Sequence, residues 1–366
     1  MNPVTRRQFL VQGGTAAVGA SLSLSCRTSP KDLAGPGGVK PIRGSWISIW
    51  WDDKRHQYWN ETCRNYTAEQ WRLAVKDVAD LGFEYLVLLA VAKGGKAFYD
   101  TPLLPKLDMA CPDPLEAMLS AGDRYGVKFF ISSDWYADWD ERALFDRDLV
   151  AKRFQMMDEL AARYGNHRSF HGWYWPNEAC VSPYFTPTFI KHVNECSAHA
   201  HKLMPKARTL TAPYGTSHAV CDDKFVRQLE EIDVDIIAYQ DEVGCLRMTP
   251  SQSAAAYARL RQAHDRVPQR ALWADVEVFA WEGEPNRQTS MLIPAPFSRV
   301  RDQLVDGGLV RDVAAPFIDF DAVQPPDAPR HAAEPLGAQI GQQKIVSPCG
   351  ALHREGGERV SEGDQR

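Results

Sequence analysis

The stretch "FHGWYWPNE", residues 170–178, is an almost continuous run of apolar and aromatic residues that ends in an amide and an acid. A run of this length without polar alternation is typical of a β-strand that is covered on both faces, as in a parallel sheet. Asn177 and Glu178 stand at its carboxyl end, where a buried carboxylate costs stability unless it is paired or hydrogen-bonded. The stretch therefore predicts a buried parallel strand that ends in an acid with a structural or functional role.

Similar runs lie on both sides of this stretch, and they are also rich in Val, Ile and aromatic residues. They are "GSWISIWW" (44–51), "EYLVLLAVA" (84–92), "VKFFISSD" (127–134), "RTLTAPYG" (208–215), "DIIAYQDE" (235–242) and "RALWADVEVF" (270–279). Helical patterns fill the gaps, and several open on a capping residue, as at Thr67, Asp113, Thr186 and Thr249. Strands that alternate with helices predict an α/β fold with a parallel sheet.

Two α/β arrangements compete for this pattern, the doubly wound sheet and the closed (β/α)8 TIM barrel. A doubly wound nucleotide-binding sheet usually has a glycine-rich loop after its first strand, but "WWDDKRHQYWNE" (50–61) contains no glycine. Acids and aromatics stand at the strand ends instead, as expected at the carboxyl-terminal face of a barrel. We therefore predict the barrel, with "VAAPFIDFDAV" (313–323) as the candidate eighth strand in a short, Pro/Gly-interrupted region that leaves the eighth unit open.

The segments outside the barrel have compositions of their own. Residues 1–26 resemble a twin-arginine export signal, because Arg6 and Arg7 precede an apolar stretch of small residues; the alternative is a frayed amphipathic amino terminus. Residues 27–41 are predicted to be a linker, 42–323 the barrel and 324–366 a disordered tail. We expect a periplasmic or envelope-attached protein, with Cys26 as a candidate lipid anchor despite a poor lipobox before it.

Composition excludes several other classes of protein. The chain has 366 residues, 44% of them hydrophobic, and a net charge of -5, so the concentrated basic face of a nucleic-acid-binding protein is absent from the sequence. Its eight cysteines form no C-x-x-C pair, which argues against a zinc knuckle or a thioredoxin-type motif. We expect no cofactor and no metal.

The strand ends carry the candidate site residues. Two carboxyl groups can cleave a glycosidic bond, while aromatic faces and further polar groups bind the sugar. We assign Glu178 as the general acid/base and Glu277 as its partner, which would be the nucleophile of a retaining mechanism, the one we favour, or the base of an inverting one. The candidate substrate-binding residues are Asn177, Asp134, Gln240, Glu242, Asp275, Trp50, Trp51, Trp135, Trp175 and Trp281.

Other interpretations remain open at this point. Glu242 is the rival partner of Glu178, and each acid could instead cap a loop or form an ion pair. Asp52, Asp53 and Asp134 could hold a divalent cation for metal-dependent hydrolysis. A non-catalytic glycan-binding envelope protein would use the same cleft without turnover.

Two resemblances bear on this choice. Asn177 and Glu178 on the fourth strand with Glu277 on the seventh resemble the clan of retaining glycosidases built on (β/α)8 barrels. In that clan the amide binds a hydroxyl, the first glutamate is the acid/base and the second is the nucleophile. The set "GSWISIWWDD", "GWYWPNEA", "AYQDEVG" and "WADVEVF" also resembles a family of exported bacterial proteins, labelled as a domain of unknown function, with glycoside-hydrolase-like barrels. The resemblance covers about residues 42–305 and implies an oligosaccharide or polysaccharide substrate.

Overall fold

The computed structural model describes residues 42–50, 62–132, 144–281, 283–284, 292–305 and 316–319. The predicted export signal, linker and tail lie outside these residues. So do four residues named at the strand ends, which are Trp51, Asp52, Asp53 and Asp134, and the nearby Trp135.

Twelve strands occur in the described part of the chain. They are β1 (Gly44–Ile47), β2 (Tyr85–Leu88), β3 (Ala92–Lys93), β4 (Lys96–Ala97), β5 (Lys128–Ser132), β6 (Phe170–Trp175), β7 (Arg208–Thr211), β8 (Ile236–Gln240), β9 (Ala271–Glu277), β10 (Phe279–Trp281), β11 (Leu292–Pro294) and β12 (Pro316–Asp319). Each predicted run contains one of the eight barrel strands, but most runs extend several residues beyond the strand's carboxyl end. The described residues of these extensions are mostly buried, because an apolar composition indicates burial and not strand hydrogen bonding.

The α-helices of the described residues lie between these strands. They are α1 (Ala68–Asp80), α2 (Pro114–Tyr125), α3 (Arg147–Tyr164), α4 (Pro187–Leu203), α5 (Asp223–Glu231), α6 (Pro250–Asp265) and α7 (Phe297–Val305). Thr67 and Thr249 each form a capping box with the glutamine three residues later, and Asp113 and Thr186 also cap their helices. The capping signals in the sequence therefore located these helix starts correctly.

The parallel strands close into a barrel in the order β1, β2, β5, β6, β7, β8, β9, β12 and back to β1. β12 pairs with both β9 and β1, so the eighth strand that the sequence left open completes the ring. The hairpins β3–β4 and β10–β11 are antiparallel additions that the sequence analysis missed. The predicted (β/α)8 TIM-barrel class is confirmed.

The strand registers give the stagger of the barrel. In the registers through β2, β5, β6, β7 and β8, Trp46 is level with position 269, two residues before β9. In the registers through β12, Trp46 is level with Glu277 of β9. The two positions differ by eight residues, which is the shear of TIM barrels. At this shear the interior is filled by side chains and is not a pore.

An aromatic layer fills the barrel interior below the carboxyl-terminal face. Trp273 of β9 packs against Phe130 of β5 and Tyr85 of β2, with ring centroids 5.9 and 5.4 Å apart, although β9 neighbours neither strand. His171 of β6 joins the layer, and its burial lowers the pKa of its imidazole to about 4. Asp275 and Glu277 of β9 lie two and four residues beyond Trp273, towards the carboxyl-terminal face.

Candidate active site at the carboxyl ends of the strands

Two ring contacts establish which strand residues face the interior. Trp46 of β1 meets Tyr174 of β6 edge-on, with centroids 6.2 Å apart, although these strands are not neighbours. On β9, Trp273 enters the interior, and side chains alternate along a strand. Asp275 and Glu277 therefore point inward as well, above the aromatic layer.

Glu277 is the last residue of β9 and is fully buried. The main-chain N–H of Cys245 donates to its Oε2 at 2.7 Å, and the Cys245 thiol donates to its Oε1 at 3.3 Å. Gly244 lets this loop approach, because a Cβ there would stand 2.8 Å from the Cβ of Glu277. Both carboxylate oxygens of Glu277 are thus held by one residue of the loop after β8.

The main chain of Glu277 is also held by hydrogen bonds. Its N–H donates to Oδ1 of Asp241 at 3.1 Å. Its carbonyl accepts from Nη2 of Arg299 at 2.8 Å and from Nε2 of Gln303 at 3.0 Å. Gln303 also donates to Oδ2 of Asp241 at 2.6 Å, and burial raises the pKa of Asp241 to about 6. These contacts join β9 to α7 at the level of Glu277.

Glu242, the rival partner, has a different set of contacts. Its Oε1 accepts the main-chain N–H of Gly215 and its Oε2 that of Ser217, both at 2.9 Å. Nη1 of Arg247 lies 3.3 Å from its Oε1. The Glu242 side chain is 2% exposed and binds the amino end of the 3-10 turn Thr216–His218. Through these contacts Glu242 anchors the loop after β7.

Asn177 and Glu178 follow β6 at the same end of the barrel. Asn177 is 1% exposed, and neither atom of its amide has a hydrogen-bond partner among the residues that the structure describes. Glu178 is half-buried. The next residues are tied to the loop after β7, since Tyr214 N–H donates to the Ala179 carbonyl and Val181 N–H to the Tyr214 carbonyl. A buried amide without a partner is costly, so this position fits one that a ligand or water satisfies.

Gln240 and Asp275 complete the inward-facing polar set. Both are 1% exposed, and they are level with each other in the β8–β9 register. Nε2 of Gln240 donates to the Ala212 carbonyl at 3.2 Å. Together with Glu277 they make a polar layer directly above the aromatic one.

Three of the candidate aromatics are described, and their exposure differs. Trp50 is 5% exposed and packs edge-on against Phe98, while Trp175 is fully buried. Trp281 is half-buried, and it packs with Cys245 against Phe279. Of these three, Trp281 has the most accessible ring, and it shares a cluster with the residue that holds Glu277.

Four residues with direct contacts to Glu277 or Asp241 were not found from the sequence: Gly244, Cys245, Arg299 and Gln303. Arg299 and Gln303 lie on a helix whose apolar face predicts packing alone. The Gly244–Cys245 pair directly after "AYQDEV" is the one local signal, because glycine beside a strand-end acid indicates close backbone approach.

The described residues include no group of three or more His, Cys, Asp or Glu side chains arranged to hold a metal ion. Asp52, Asp53 and Asp134 lie outside those residues. The six cysteines of the described segments form no disulfide with one another. Within those segments, no helix is long and apolar enough to cross a bilayer.

Solved structures with a similar fold include the following three. One, from Bacteroides thetaiotaomicron VPI-5482 and provisionally named an alpha-L-fucosidase, has a TM-score of 0.59 at 17% identity, over 82% of this chain and 91% of that one. The endo-beta-1,4-mannanase from Thermotoga petrophila has a TM-score of 0.53 at 12% identity, over 86% and 78%. A variant of GH5_18 from Streptomyces cattleya, in complex with Manb1-4GlcNAc, has a TM-score of 0.52 at 17% identity, over 82% and 75%. At these identities the likeness supports the fold alone.

Sequence comparison adds the family. Among curated proteins, none matches this chain significantly. The family described as "Domain of unknown function (DUF4434)" matches residues 42–310, which span β1 to α7 and include every described candidate site residue. The chain therefore belongs to the DUF4434 family.

Proposed function

We propose that this protein is a glycoside hydrolase that cleaves an oligosaccharide or polysaccharide with Glu178 and Glu277. The observation that carries the proposal is the pairing of two features at one end of the barrel. Glu277 is a buried, inward-pointing acid at the end of β9. The amide of Asn177, which has no hydrogen-bond partner among the described residues, directly precedes Glu178 after β6. This combination supports sugar chemistry because two carboxyl groups can cleave a glycosidic bond and an amide can bind a sugar hydroxyl.

The roles follow from the contacts. Glu277 receives two hydrogen bonds from Cys245, and donors of this kind favour the ionised carboxylate that a nucleophile needs. Glu178 is half-buried and therefore accessible to exchange a proton with a bound substrate. In the proposed reaction Glu178 protonates the glycosidic oxygen while Glu277 attacks the anomeric carbon. Water, deprotonated by Glu178, then releases the sugar from Glu277 with retained configuration.

The remaining polar residues are proposed to bind hydroxyl groups. Asn177 would engage the 2-hydroxyl, and Gln240 and Asp275 would hold other hydroxyls or orient the two acids. Trp281, a half-buried residue that packs against Phe279 as Cys245 does, would stack on a sugar face. Glu242 would act indirectly, because its carboxylate holds the Gly215–Ser217 loop in place.

The test is a screen of aryl glycosides and oligosaccharides with four proteins: wild type, Glu178→Gln, Glu277→Gln and the control Glu195→Gln. Glu195 is an acid on α4, outside the barrel mouth. We expect turnover by wild type and the control, and losses of about 10³-fold or more in both site variants. The anomeric configuration of the first product, followed by NMR, would show retention.

Two outcomes would contradict the proposal. Turnover that survives in both site variants would exclude this pair of acids. Tight binding of a glycan by wild type without any turnover would favour the second class, a non-catalytic glycan-binding protein.

We also propose that the protein is exported, on the basis of Arg6 and Arg7. Replacement of both arginines by lysine should retain the full-length chain in the cytoplasm, which fractionation and immunoblotting would measure. Unchanged export of the double variant would contradict a twin-arginine route.

A further inference from the structure

We propose that Cys245 is a positioning residue for Glu277, with its thiol and its main-chain N–H holding the two carboxylate oxygens in place. This inference rests on the proposed function, since it names the residue that orients the proposed nucleophile. It also predicts that a small reagent attached to this thiol disables the site.

The contacts are direct and bidentate. The N–H of Cys245 lies 2.7 Å from Oε2 of Glu277, and the Cys245 sulfur lies 3.3 Å from Oε1. A carboxylate that accepts two such bonds from a single residue has little freedom to rotate. Because a thiol can donate only while it carries its proton, the contact joins the protonation of Cys245 to the charge of Glu277.

The turn that presents Cys245 has an unusual backbone. Glu242 and Leu246 are not glycines, yet their φ angles are +53° and +59°. The turn is closed by the N–H groups of Arg247 and Met248, which both donate to the Glu242 carbonyl, at 3.0 and 3.1 Å. Within this turn Gly244 brings the backbone so near Glu277 that a Cβ would lie 3.0 Å from its Oε2. The turn is therefore shaped to deliver the next residue, Cys245, to that carboxylate.

Cys245 is half-buried, and it forms no disulfide with another described cysteine. It packs against Phe279 together with the half-buried Trp281, at the upper end of the barrel. A reagent of the size of iodoacetamide that reaches this thiol adds its bulk beside Glu277.

Four other charged groups enter the design of the test. Arg299 of α7 lies near Glu277, Asp241 and Cys245, and Asp241 follows β8. Asp275 is two residues earlier on β9, and Glu178 is the proposed partner from β6. All four stay in place in the variants below, so a change can be assigned to the Cys245–Glu277 contact.

The first experiment needs no substrate. Wild type and Glu277→Gln are labelled with iodoacetamide at pH 8, and mass spectrometry follows the peptide that contains Cys245. A carboxylate beside a thiol disfavours the reactive thiolate, so we expect labelling of Cys245 to become about three- to tenfold faster in the variant. Cys221 is the internal reference, because its pKa is raised to about 11 mainly by burial, and its labelling should not change. Equal Cys245 labelling in both proteins would overturn the contact.

The second experiment uses a glycoside that wild type hydrolyses, and compares Cys245→Ala with Cys245→Ser. The alanine variant keeps the backbone donor and loses the thiol; we expect kcat to fall roughly tenfold with little change in KM. The acidic limb of its pH profile should move to higher pH, and the hydroxyl of serine should restore it. An alanine variant with the kcat and profile of wild type would overturn the positioning role. If wild type hydrolyses nothing, the proposed function fails, and the labelling experiment still decides whether Cys245 and Glu277 are coupled.

Discussion

Oδ1 of Asp241 accepts the main-chain N–H of Glu277 at 3.1 Å, so the buried acid that follows β8 holds the main chain of the acid that ends β9. Gln303 supports the same pair, because its Nε2 donates both to Asp241 and to the Glu277 carbonyl. The charge of Asp241 is costly in this setting, since burial raises its pKa to about 6.

This raised pKa predicts a pH dependence of stability. The unfolded value is about 3.9, so the folded state binds the proton more tightly. The stabilisation that this tighter proton binding gives to the folded state is therefore fully present below about pH 4, and it is lost as the pH rises through 6. From pH 4.5 to pH 7.5, the unfolding free energy of Asp241→Asn should rise by about 2 kcal/mol relative to that of wild type. Urea unfolding at both pH values would measure it.

The matched control for that prediction is Asp108→Asn, whose side chain is 97% exposed. Its difference from wild type should be the same at both pH values. A difference between Asp241→Asn and wild type that is also independent of pH would contradict the raised pKa of Asp241.

Gly244→Ala tests the close approach of the turn to Glu277. The new methyl group would lie 2.8 Å from the Glu277 Cβ and 2.9 Å from Cζ of Phe279. We expect a loss of about 1–3 kcal/mol in unfolding free energy, because the contacts are overpacked. Activity on a hydrolysed glycoside should fall at least roughly tenfold, since small misplacements of a catalytic group are expensive.

Gly82→Ala is the control for this steric effect. Gly82 has a φ of +84°, and a methyl group on its Cα would meet nothing within 4 Å, so its substitution costs backbone strain alone. It should lower stability and leave activity intact. Equal activity losses in both variants would point to general destabilisation and not to displacement of Glu277.

The barrel was predictable because its strands are buried on both faces and its helices carry explicit caps. The run at 170–178 reflects burial of both faces of a strand, and the capping box at Thr67 reflects the hydrogen-bonding needs of a helix start. Both are local requirements, so they can be predicted from a short stretch of sequence. The roles of Glu242 and Glu277 were not separable in this way. Both are strand-end acids, and only the tertiary structure shows that Glu242 binds the N–H groups of Gly215 and Ser217. The hydrogen bonds of Cys245 depend on a turn whose shape the sequence does not specify.

These contacts predict different chemistry for Glu277 and Glu242. Glu277→Ala removes the proposed nucleophile, and azide should restore measurable turnover of an activated aryl glycoside by occupying the vacated space. Glu242→Ala removes an anchor of the 215–217 loop and the partner of Arg247. It should lower the unfolding free energy by about 1–3 kcal/mol, with no rescue by azide. Rescue of the Glu242 variant alone would exchange the roles of the two acids.

His264 predicts a pH dependence of the opposite sign to that of Asp241. Its Nδ1 lies 2.9 Å from the Arg270 carbonyl and must donate, so its Nε2 accepts from the Tyr239 hydroxyl at 3.0 Å. This neutral ring is buried, and burial lowers its pKa to about 4. The unfolded value is about 6.5, so the contribution to stability is complete above pH 6.5 and is lost as the pH falls towards 4.

His264→Gln keeps one donor and one acceptor and removes the titration. From pH 7.5 to pH 5 the unfolding free energy of wild type should fall by about 2 kcal/mol more than that of the variant. The buried His192, whose pKa is about 3 because of burial, should add the same acid loss to both proteins and so leave their difference unchanged. The exposed His218, replaced by Gln, is the control and should follow wild type at each pH. Parallel pH profiles for His264→Gln and wild type would show that the imidazole is not held neutral between Arg270 and Tyr239.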